Sequence, residues 1–340
     1  MTTSRNAVTA LLLTLTIGAT TPEPGQAQRR ELAQDPALDN LVHPSGYRTA
    51  DAPITTRKVG RGPRSMVLIA GLGFGAEIFA DFMARREAEF TMYPVTLAGF
   101  GGTPALPMPA GTTSFGGLPW TRAATNAILA LLDRENVGRA TLVAHWIGAS
   151  QIALRLALDH PDRFDAVILI GGVAKVFYVQ GGNRAMLEWT PAQHVAFADG
   201  MGQRWFKTVT RRTWDDNNFM PFDYAIHPVR ALQLWRAAAE PTLPTWIRWL
   251  LEFYAQNLGP ELLRLTVPTL VIRPGFDDPG FFVDGERTYM RDLCLGSWSG
   301  LEGKAPALTF ATVSGARLFV MDDQPAALDR LVTGFLTAHR

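Results

Sequence analysis

The chain has little cysteine and almost no net charge. Of its 340 residues only Cys294 is a cysteine. This excludes an internal disulfide framework and any zinc or iron–sulfur site built on cysteines. There are 32 lysines and arginines against 31 aspartates and glutamates, which gives a formal net charge of +1. Because positive and negative charges are almost equal in number, the composition indicates no basic surface of the kind that binds nucleic acid. We therefore expect no nucleic-acid partner.

What the chain does contain is typical of a folded protein. Hydrophobic residues make up 47% of the sequence, which excludes a mainly disordered chain. The length suffices for one large domain with an insertion, or for two domains. The nine tryptophans are many for this length. One of them, Trp146, bears directly on function.

The first residues have the pattern of a signal peptide. The apolar run Ala7–Ile17 follows the basic residue Arg5, and small residues at Gly25 and Ala27 suit cleavage after Ala27. We therefore predict a signal peptide over 1–27 and a bacterial periplasmic or secreted protein. Residues 28–53 are polar and interrupted by proline and glycine, so we expect an arm on the domain surface. No other stretch has the length and apolar character of a membrane span.

Strand and helix patterns alternate through most of the remaining sequence. Short apolar runs bounded by glycine predict strands, and apolar residues at helical spacing predict helices between them. The predicted strands are 65–69, 93–97, 140–144, 165–170, 269–272 and 307–313, and the predicted helices are 76–90, 121–135, a helix ending at 158, 283–293 and 325–338. This alternation predicts an α/β fold, with a mostly parallel sheet flanked by helices on both faces.

The strand pattern stops between about 173 and 263. Helical patterns at 228–238 and 244–256 indicate a helical cap inserted into an α/β core formed by 54–172 and 264–340. Six tryptophans lie in this insertion: Trp189, Trp205, Trp214, Trp235, Trp246 and Trp249. Two interpretations stay open. The aromatic residues form the insertion's own core, or they share an apolar ligand surface with the sheet.

Several segments, in this order, resemble the α/β-hydrolase fold family of serine hydrolases and esterases. Leu68–Gly73 follows a strand where that family has its oxyanion loop, and Leu97–Gly102 matches the loop after the next strand. Val143–Ser150 lies between strand and helix, where the family has its nucleophile elbow. His160–Phe164 and Val267–Ile272 also fit. The resemblance implies an α/β-hydrolase fold with a helical cap.

The elbow sequence departs from the family at its most important residue. Ala144 and Gly148 are the small residues that let strand and helix pack closely, but the nucleophile position holds Trp146. An indole has no nucleophilic oxygen or sulfur and no carboxylate, so it forms no acyl or alkyl intermediate. This excludes the serine route and the aspartate-based dehalogenase and epoxide-hydrolase routes at this position.

The base position departs as well. The resemblance places a general-base histidine in the loop 314–325, at the position of Leu318, and the whole loop lacks histidine. The six histidines are His43, His145, His160, His194, His227 and His339. We expect His145 to be buried and structural. His194 and His227 lie in the insertion and reach the cleft only through an unusual arrangement of the cap.

Other parts of the family's site are retained. The resemblance implies that Asp278 is the acid, with Asp277 as the second candidate, and that the backbone N–H groups of Leu72 and Ile147 form the oxyanion hole. A carboxylate without its imidazole has nothing to orient, so the alternative is an aspartate that caps a loop or helix. We also predict an apolar contact between Trp146 and Leu318 in place of the polar dyad.

Few residues offer a substitute nucleophile or a metal site. Ser150 lies four residues beyond the elbow position, and we expect it to be a small packing residue. Cys294 has only Arg291 as a basic neighbour in sequence, so we expect a buried thiol. No HExxH motif or tight cluster of histidine and aspartate is present, and we expect no metal and no cofactor.

These observations leave three functional hypotheses. The first is a catalytically incompetent protein on an exported esterase-like scaffold. It is either a natural pseudoenzyme that binds an apolar or ester-like small molecule under the cap, or a substituted form of an ordinary esterase. The second is an active hydrolase of esters, amides or lactones with an unrecognised nucleophile. The third is cofactor-free lyase or oxygenase chemistry, for which Asp278 is the candidate base.

Overall fold

A computed structural model describes residues 52–176, 184–217, 220–280 and 289–339. The predicted signal peptide and nearly all of the predicted arm lie outside the described residues and stay predictions. So does the start of the helix predicted at 283–293. None of the described helices combines the length and apolar character needed to cross a bilayer.

The described residues form a seven-stranded sheet in the order β1-β3-β2-β4-β5-β6-β7. Strand β1 is antiparallel to β3, and the other neighbouring strands are parallel. The strands are β1 Ile54–Thr56, β2 Arg64–Ile69, β3 Phe90–Leu97, β4 Ala140–His145, β5 Phe164–Ile170, β6 Thr269–Pro274 and β7 Leu308–Val313. The predicted α/β fold with a mostly parallel sheet is confirmed. Strand β1 was not predicted, because so short a strand carries too little periodicity.

Strand β4 lies in the middle of the sheet and leads to the elbow. All of its residues are buried, since helices cover both faces of a parallel sheet. It pairs with β2 on one side and with β5 on the other. The carboxyl ends of β2, β4 and β6 therefore meet along one edge of the sheet. The loops that leave these ends hold the residues singled out in the sequence.

The helices of the core connect the strands, and the last two follow β7. They are α1 Ala80–Ala84, α2 Pro119–Arg134, α3 Ala149–Asp159, α9 Tyr289–Gly296, α10 Val320–Asp323 and α11 Pro325–Ala338. The prediction of one long helix over 76–90 is wrong. The segment forms a short 3-10 helix and α1, and then turns at Arg86, whose carbonyl accepts the N–H groups of Glu89 and Phe90. Phe90 already begins β3, so the chain has to reverse before it.

The cap, the segment between β5 and β6, is helical over most of its described residues and ends with the short helix α8 Gly259–Leu262. Its longer helices are α4 Pro191–Thr208, α5 Arg211–Asn217, α6 Pro228–Ala239 and α7 Leu243–Tyr254. Trp249 on α7 is fully buried, and its indole N–H donates to the carbonyl of Ala98 at 3.0 Å. Its ring contacts the rings of Trp120 and Phe253, with centroid distances of 5.4 and 5.6 Å. This part of the cap therefore packs directly on the core.

A buried carboxylate joins the cap to the core. Glu252 on α7 accepts the backbone N–H groups of Trp120 and Thr121 at 3.1 and 2.9 Å, and the Thr121 hydroxyl at 2.9 Å. These N–H groups belong to the first turn of α2, where they have no partner within the helix. Arg248, one turn earlier on α7, donates to the same carboxylate at 2.9 Å. Glu252, which belongs to the cap, is thus the hydrogen-bond acceptor at the N-terminus of the core helix α2.

Candidate functional site

The sharp turn after β4 places Trp146 at its apex. Its backbone is left-handed, with φ 66°, a conformation that costs about 1–3 kcal/mol in a bulky residue unless its surroundings hold it. The N–H of Trp146 donates to Ile170 at 3.0 Å, and its carbonyl accepts the N–H of Ser150 at 3.2 Å. The Ser150 hydroxyl also donates to that carbonyl, at 2.8 Å. The turn therefore has the strained elbow geometry, and its apex side chain is an indole that is only 4% exposed.

Helix α7 covers this elbow closely. A Cβ added to Gly148, where φ is 85°, would lie 2.7 Å from a ring carbon of Phe253. A Cβ added to Gly73, in the loop after β2, would lie 2.7 Å from a ring carbon of Trp246. Both distances are shorter than non-bonded carbon atoms tolerate. Only glycine therefore allows the two loops to approach these aromatic rings, which occupy the space above the elbow.

The two residues assigned to the oxyanion hole contact each other. The N–H of Leu72 donates to the carbonyl of Ile147 at 3.1 Å. Both side chains are buried, at 1% and 5% exposure. In this arrangement one of the two predicted donors already has an acceptor from the protein. It would have to give up that hydrogen bond before it could stabilise a developing oxyanion.

The two aspartates after β6 have different surroundings. Asp277 accepts the Ser314 hydroxyl at 2.6 Å and the Gly315 N–H at 2.7 Å, and these hydrogen bonds lower the pKa of its carboxyl. Asp278 is buried, and both of its oxygens are bound by Arg317, at 3.0 Å from Nε and 2.7 Å from Nη2. Asp277 therefore caps a turn, whereas Asp278 forms a bidentate ion pair.

The loop after β7 holds Leu318 in a fully buried position. Its N–H donates to the carbonyl of Asp223 in the cap at 3.2 Å. Its own carbonyl lies 3.3 Å from Nε2 of His145. Leu318 and Trp146 belong to the same buried apolar cluster. Their direct contact stays a prediction.

The other candidate groups are held in structural roles. Ser150 is fully buried; its one hydroxyl hydrogen faces the carbonyls of Trp146 and Val173, at 2.8 and 3.1 Å, and its oxygen accepts the Val173 N–H. Cys294 is a free, buried thiol whose pKa is raised by burial. His194 is buried in the cap, where Nδ1 lies 2.9 Å from the Tyr254 carbonyl and burial lowers the pKa of the ring. His227 is exposed at the start of α6.

Curated esterases and hydrolases are similar to about a third of the chain. No family model matches the chain. A pimeloyl-[acyl-carrier protein] methyl ester esterase of Edwardsiella ictaluri is 28% identical over 114 residues, 33% of this chain and 37% of that protein. A putative carbamate hydrolase of Klebsiella pneumoniae is 32% identical over 111 residues, 33% of this chain and 38% of that protein. The matches thus span little more than a third of these curated relatives.

Solved structures match over most of the chain. An enol-lactonase from Burkholderia xenovorans has a TM-score of 0.57 at 19% identity, covering 84% of this chain and 96% of that one. A serine hydrolase from Cycloclasticus zankles has a TM-score of 0.60 at 15% identity, covering 86% and 97%.

The chain has the α/β-hydrolase fold.

Within the α/β-hydrolase fold, Arg317 is a residue of this region that the sequence pattern does not reveal. It immediately precedes Leu318 and binds both carboxylate oxygens of Asp278, the predicted acid. A basic residue beside the base position was the available signal, but nothing in the sequence showed that its side chain turns toward Asp278. The sequence places Trp246 among the aromatic residues of the insertion and Phe253 within the helical pattern at 244–256, and their contacts with the elbow loops depend on how the cap folds back.

The described residues offer no metal site, and an open cavity lies away from the elbow. No group of three histidine, cysteine or acidic side chains among them is placed to hold a metal ion. A polar cavity of about 480 Å³ is lined by residues that include Ser65, Thr91 and Asp165. These lie near the amino ends of β2, β3 and β5, at the edge of the sheet opposite the elbow. The cavity is therefore not the cleft of the α/β-hydrolase fold.

His145, next to the elbow apex, is neutral over most of the pH range. Burial lowers its pKa from an ordinary 6.5 to about 3, because no water stabilises the charged ring. The ring packs against the rings of Phe319 and Phe74, at centroid distances of 4.3 and 6.1 Å. A base with so low a pKa is far from the value near 7 that suits general-base catalysis.

This shift predicts a pH-dependent stability. The pKa of His145 is lower in the folded chain than in the unfolded chain. The contribution of its neutral ring to the free energy of unfolding is therefore complete above about pH 7. This contribution is lost as the pH falls from 6.5 towards about 3, because in this interval the unfolded chain binds the proton and the folded chain does not. Between about pH 7.5 and about pH 5 we expect a loss of about 2 kcal/mol.

Urea unfolding of the chain and of the His145→Gln variant at both pH values measures this loss. Other histidines, including His194, act in the same direction. The difference between the two chains therefore isolates His145. An equal loss in both chains would contradict the prediction.

Proposed function

We propose that this chain is a non-catalytic member of the α/β-hydrolase fold, built on a carboxylic ester hydrolase scaffold. The observation that carries the proposal is the side chain at the elbow apex. Trp146 adopts the left-handed backbone of a nucleophile elbow, with φ 66°, but presents an indole. An indole cannot attack a carbonyl carbon to form an acyl intermediate as the alcohol of an ester leaves.

The surrounding contacts support the same proposal. Leu318 occupies the base position, and the retained acid Asp278 has both oxygens bound to Arg317. The Leu72 N–H is bound to Ile147. A nucleophile, a base and an oxyanion hole act as one unit, and each of them is altered here.

The ligand class follows from the scaffold and the cap. The proteins compared above are named as a methyl ester esterase, a carbamate hydrolase and an enol-lactonase. Esters, carbamates and lactones all contain an acyl carbon bonded to oxygen. Above the elbow this chain has the aromatic rings of Trp246 and Phe253. We therefore infer an apolar or ester-like small molecule as the ligand, bound between cap and core once the cap moves.

Labelling with a fluorophosphonate probe tests the proposal. Such probes react with activated serines, so the unmodified chain is expected to remain unlabelled and to show no more than a trace of ester turnover. A trace of turnover is not evidence of a working site. Oxyanion-hole donors and substrate binding alone accelerate hydrolysis roughly 10³–10⁴-fold over the reaction in water. The Trp146→Ala variant is the matched control, since it opens the apex without adding a nucleophile.

Two outcomes would overturn the proposal. The first is stoichiometric labelling of the unmodified chain, with peptide mapping then naming the unrecognised serine. The second is ester turnover well above the trace level that persists in Trp146→Ala. Either result would favour an active hydrolase of esters, amides or lactones instead.

A further inference from the structure

The loop after β7 is bound to the cap by backbone hydrogen bonds. The N–H of Leu318 donates to the carbonyl of Asp223 at 3.2 Å, and the N–H of Phe319 donates to the carbonyl of Tyr224 at 2.8 Å. The loop that would carry a general base therefore pairs with a cap segment. Its backbone N–H groups are used to hold that segment.

Arg317 joins this pairing to the acid position. Its Nε and Nη2 bind the two oxygens of Asp278 at 3.0 and 2.7 Å, and its Nη1 donates to the carbonyls of Phe222 and Ala225 in the cap. Arg317 and Asp278 are only 5% and 8% exposed. A buried guanidinium is stable only where such partners surround it, so the ion pair and the cap segment depend on each other.

Two further aspartates complete the contact. Asp323 accepts the N–H of Ile226 at 2.9 Å and the N–H of Arg317 at 2.8 Å. Asp322 binds Arg230 of α6 at 2.7 Å, where both side chains are partly exposed. The contact thus runs from a buried centre at Arg317 to an accessible rim at Arg230.

We propose that these residues form a latch that holds the cap closed over the elbow. The cap latch consists, on the core side, of Asp278, Arg317, Leu318, Phe319, Asp322 and Asp323, and on the cap side of 222–226 and Arg230. The retained acid position then has a conformational role in place of a catalytic one. Because Trp246 and Phe253 cover the elbow loops in the closed form, the latch sets how often that region opens.

The consequence for binding follows from population arithmetic. A ligand that enters only the open form binds with an apparent affinity reduced by the fraction of molecules that are open. Weakening the latch therefore raises the apparent affinity for an apolar ligand without a new contact. This consequence rests on the proposed function for the ligand class, whereas the latch itself does not.

Hydrogen exchange of the Arg317→Met variant tests the latch. We expect amides of 222–226 and of α6 and α7 to exchange at least about tenfold faster, while β3, β4 and β5 keep their protection. The matched control is Arg86→Met. Arg86 is also 5% exposed and pairs with an aspartate, Asp329, but it lies in the core away from the cap.

Rim variants keep the test decisive if Arg317→Met does not fold. Arg230→Met and Asp322→Asn each break a partly exposed ion pair. We expect faster hydrogen exchange in the same cap amides, by a smaller factor than in Arg317→Met. Cap amides that exchange at the unmodified rate in all folded latch variants would overturn the proposal. So would faster exchange spread evenly over the chain, or the same cap acceleration in Arg86→Met.

Binding of the apolar dye 1-anilinonaphthalene-8-sulfonate separates the latch from the proposed ligand class. We expect at least about fivefold tighter dye binding in a latch variant that shows local acceleration. Faster exchange of the cap amides without tighter dye binding would support the latch and contradict the apolar ligand of the proposed function. Tighter dye binding without faster exchange of the cap amides would contradict the latch.

Discussion

The double variant Trp146→Ser with Leu318→His is expected to hydrolyse activated short-chain esters at least about a thousandfold faster than the unmodified chain. The serine would take the apex of the strained elbow, and the histidine would take the buried position next to Arg317, which binds Asp278, the predicted acid. Replacing the buried indole of Trp146 by serine also frees volume at the elbow apex for an acyl group. Steady-state kinetics with p-nitrophenyl acetate and fluorophosphonate labelling of the introduced serine measure the gain.

The two single variants are the controls for this experiment. Each is expected to give far less than the double variant, because nucleophile and base act as one unit and their effects are not additive. Arg317 already binds both oxygens of Asp278, yet a carboxylate has about four lone-pair sites and can accept a histidine N–H as well. A double variant that folds and remains inert would contradict the esterase-scaffold account.

The Glu252→Ala variant is expected to lose about 3–5 kcal/mol of the free energy of unfolding. The carboxylate is fully buried and binds Arg248, itself 4% exposed, together with two N–H groups at the start of α2. Alanine would leave a buried guanidinium without its anion and helix donors without an acceptor. The midpoint of urea unfolding and its slope give the free energy.

Glu261→Ala is the matched control, since Glu261 is likewise a glutamate that binds an arginine. Arg155 donates two hydrogen bonds to it, each at 2.8 Å. The side chain of Glu261 is 33% exposed, and water weakens a pair of this kind. Its loss should therefore be about 1 kcal/mol or less. If Glu252→Ala costs no more than Glu261→Ala, the buried carboxylate does not anchor the cap as we infer.

The sequence by itself was sufficient for the architecture of the core. Buried parallel strands require continuous apolar runs, and such runs identified β2 to β7 to within a few residues. The small residues Ala144 and Gly148 identified the elbow, because strand and helix can pack so closely only there. The chemical exclusion at Trp146 also needed no structure, since an indole lacks a nucleophile wherever it lies.

Local pattern failed where the chain reverses or where an element is short. The helix predicted over 76–90 ends early because the chain must turn at Arg86 to enter β3. Strand β1 has three residues and is formed by pairing with β3, a partner from a distant part of the sequence. Periodicity within a segment contains no information about such partners.

Only the tertiary structure decided what the retained residues do. Asp278 lies 39 positions from Arg317, and Thr121 lies 131 positions from Glu252. Both pairs exist because the folded chain buries a charge that must then find a partner, and sequence spacing does not reveal which one. The sequence predicted Asp278 as an acid without its histidine, and the structure shows that this carboxylate binds an arginine at the junction of core and cap. The physical reason is that burial, and not residue type, determines which charges must pair.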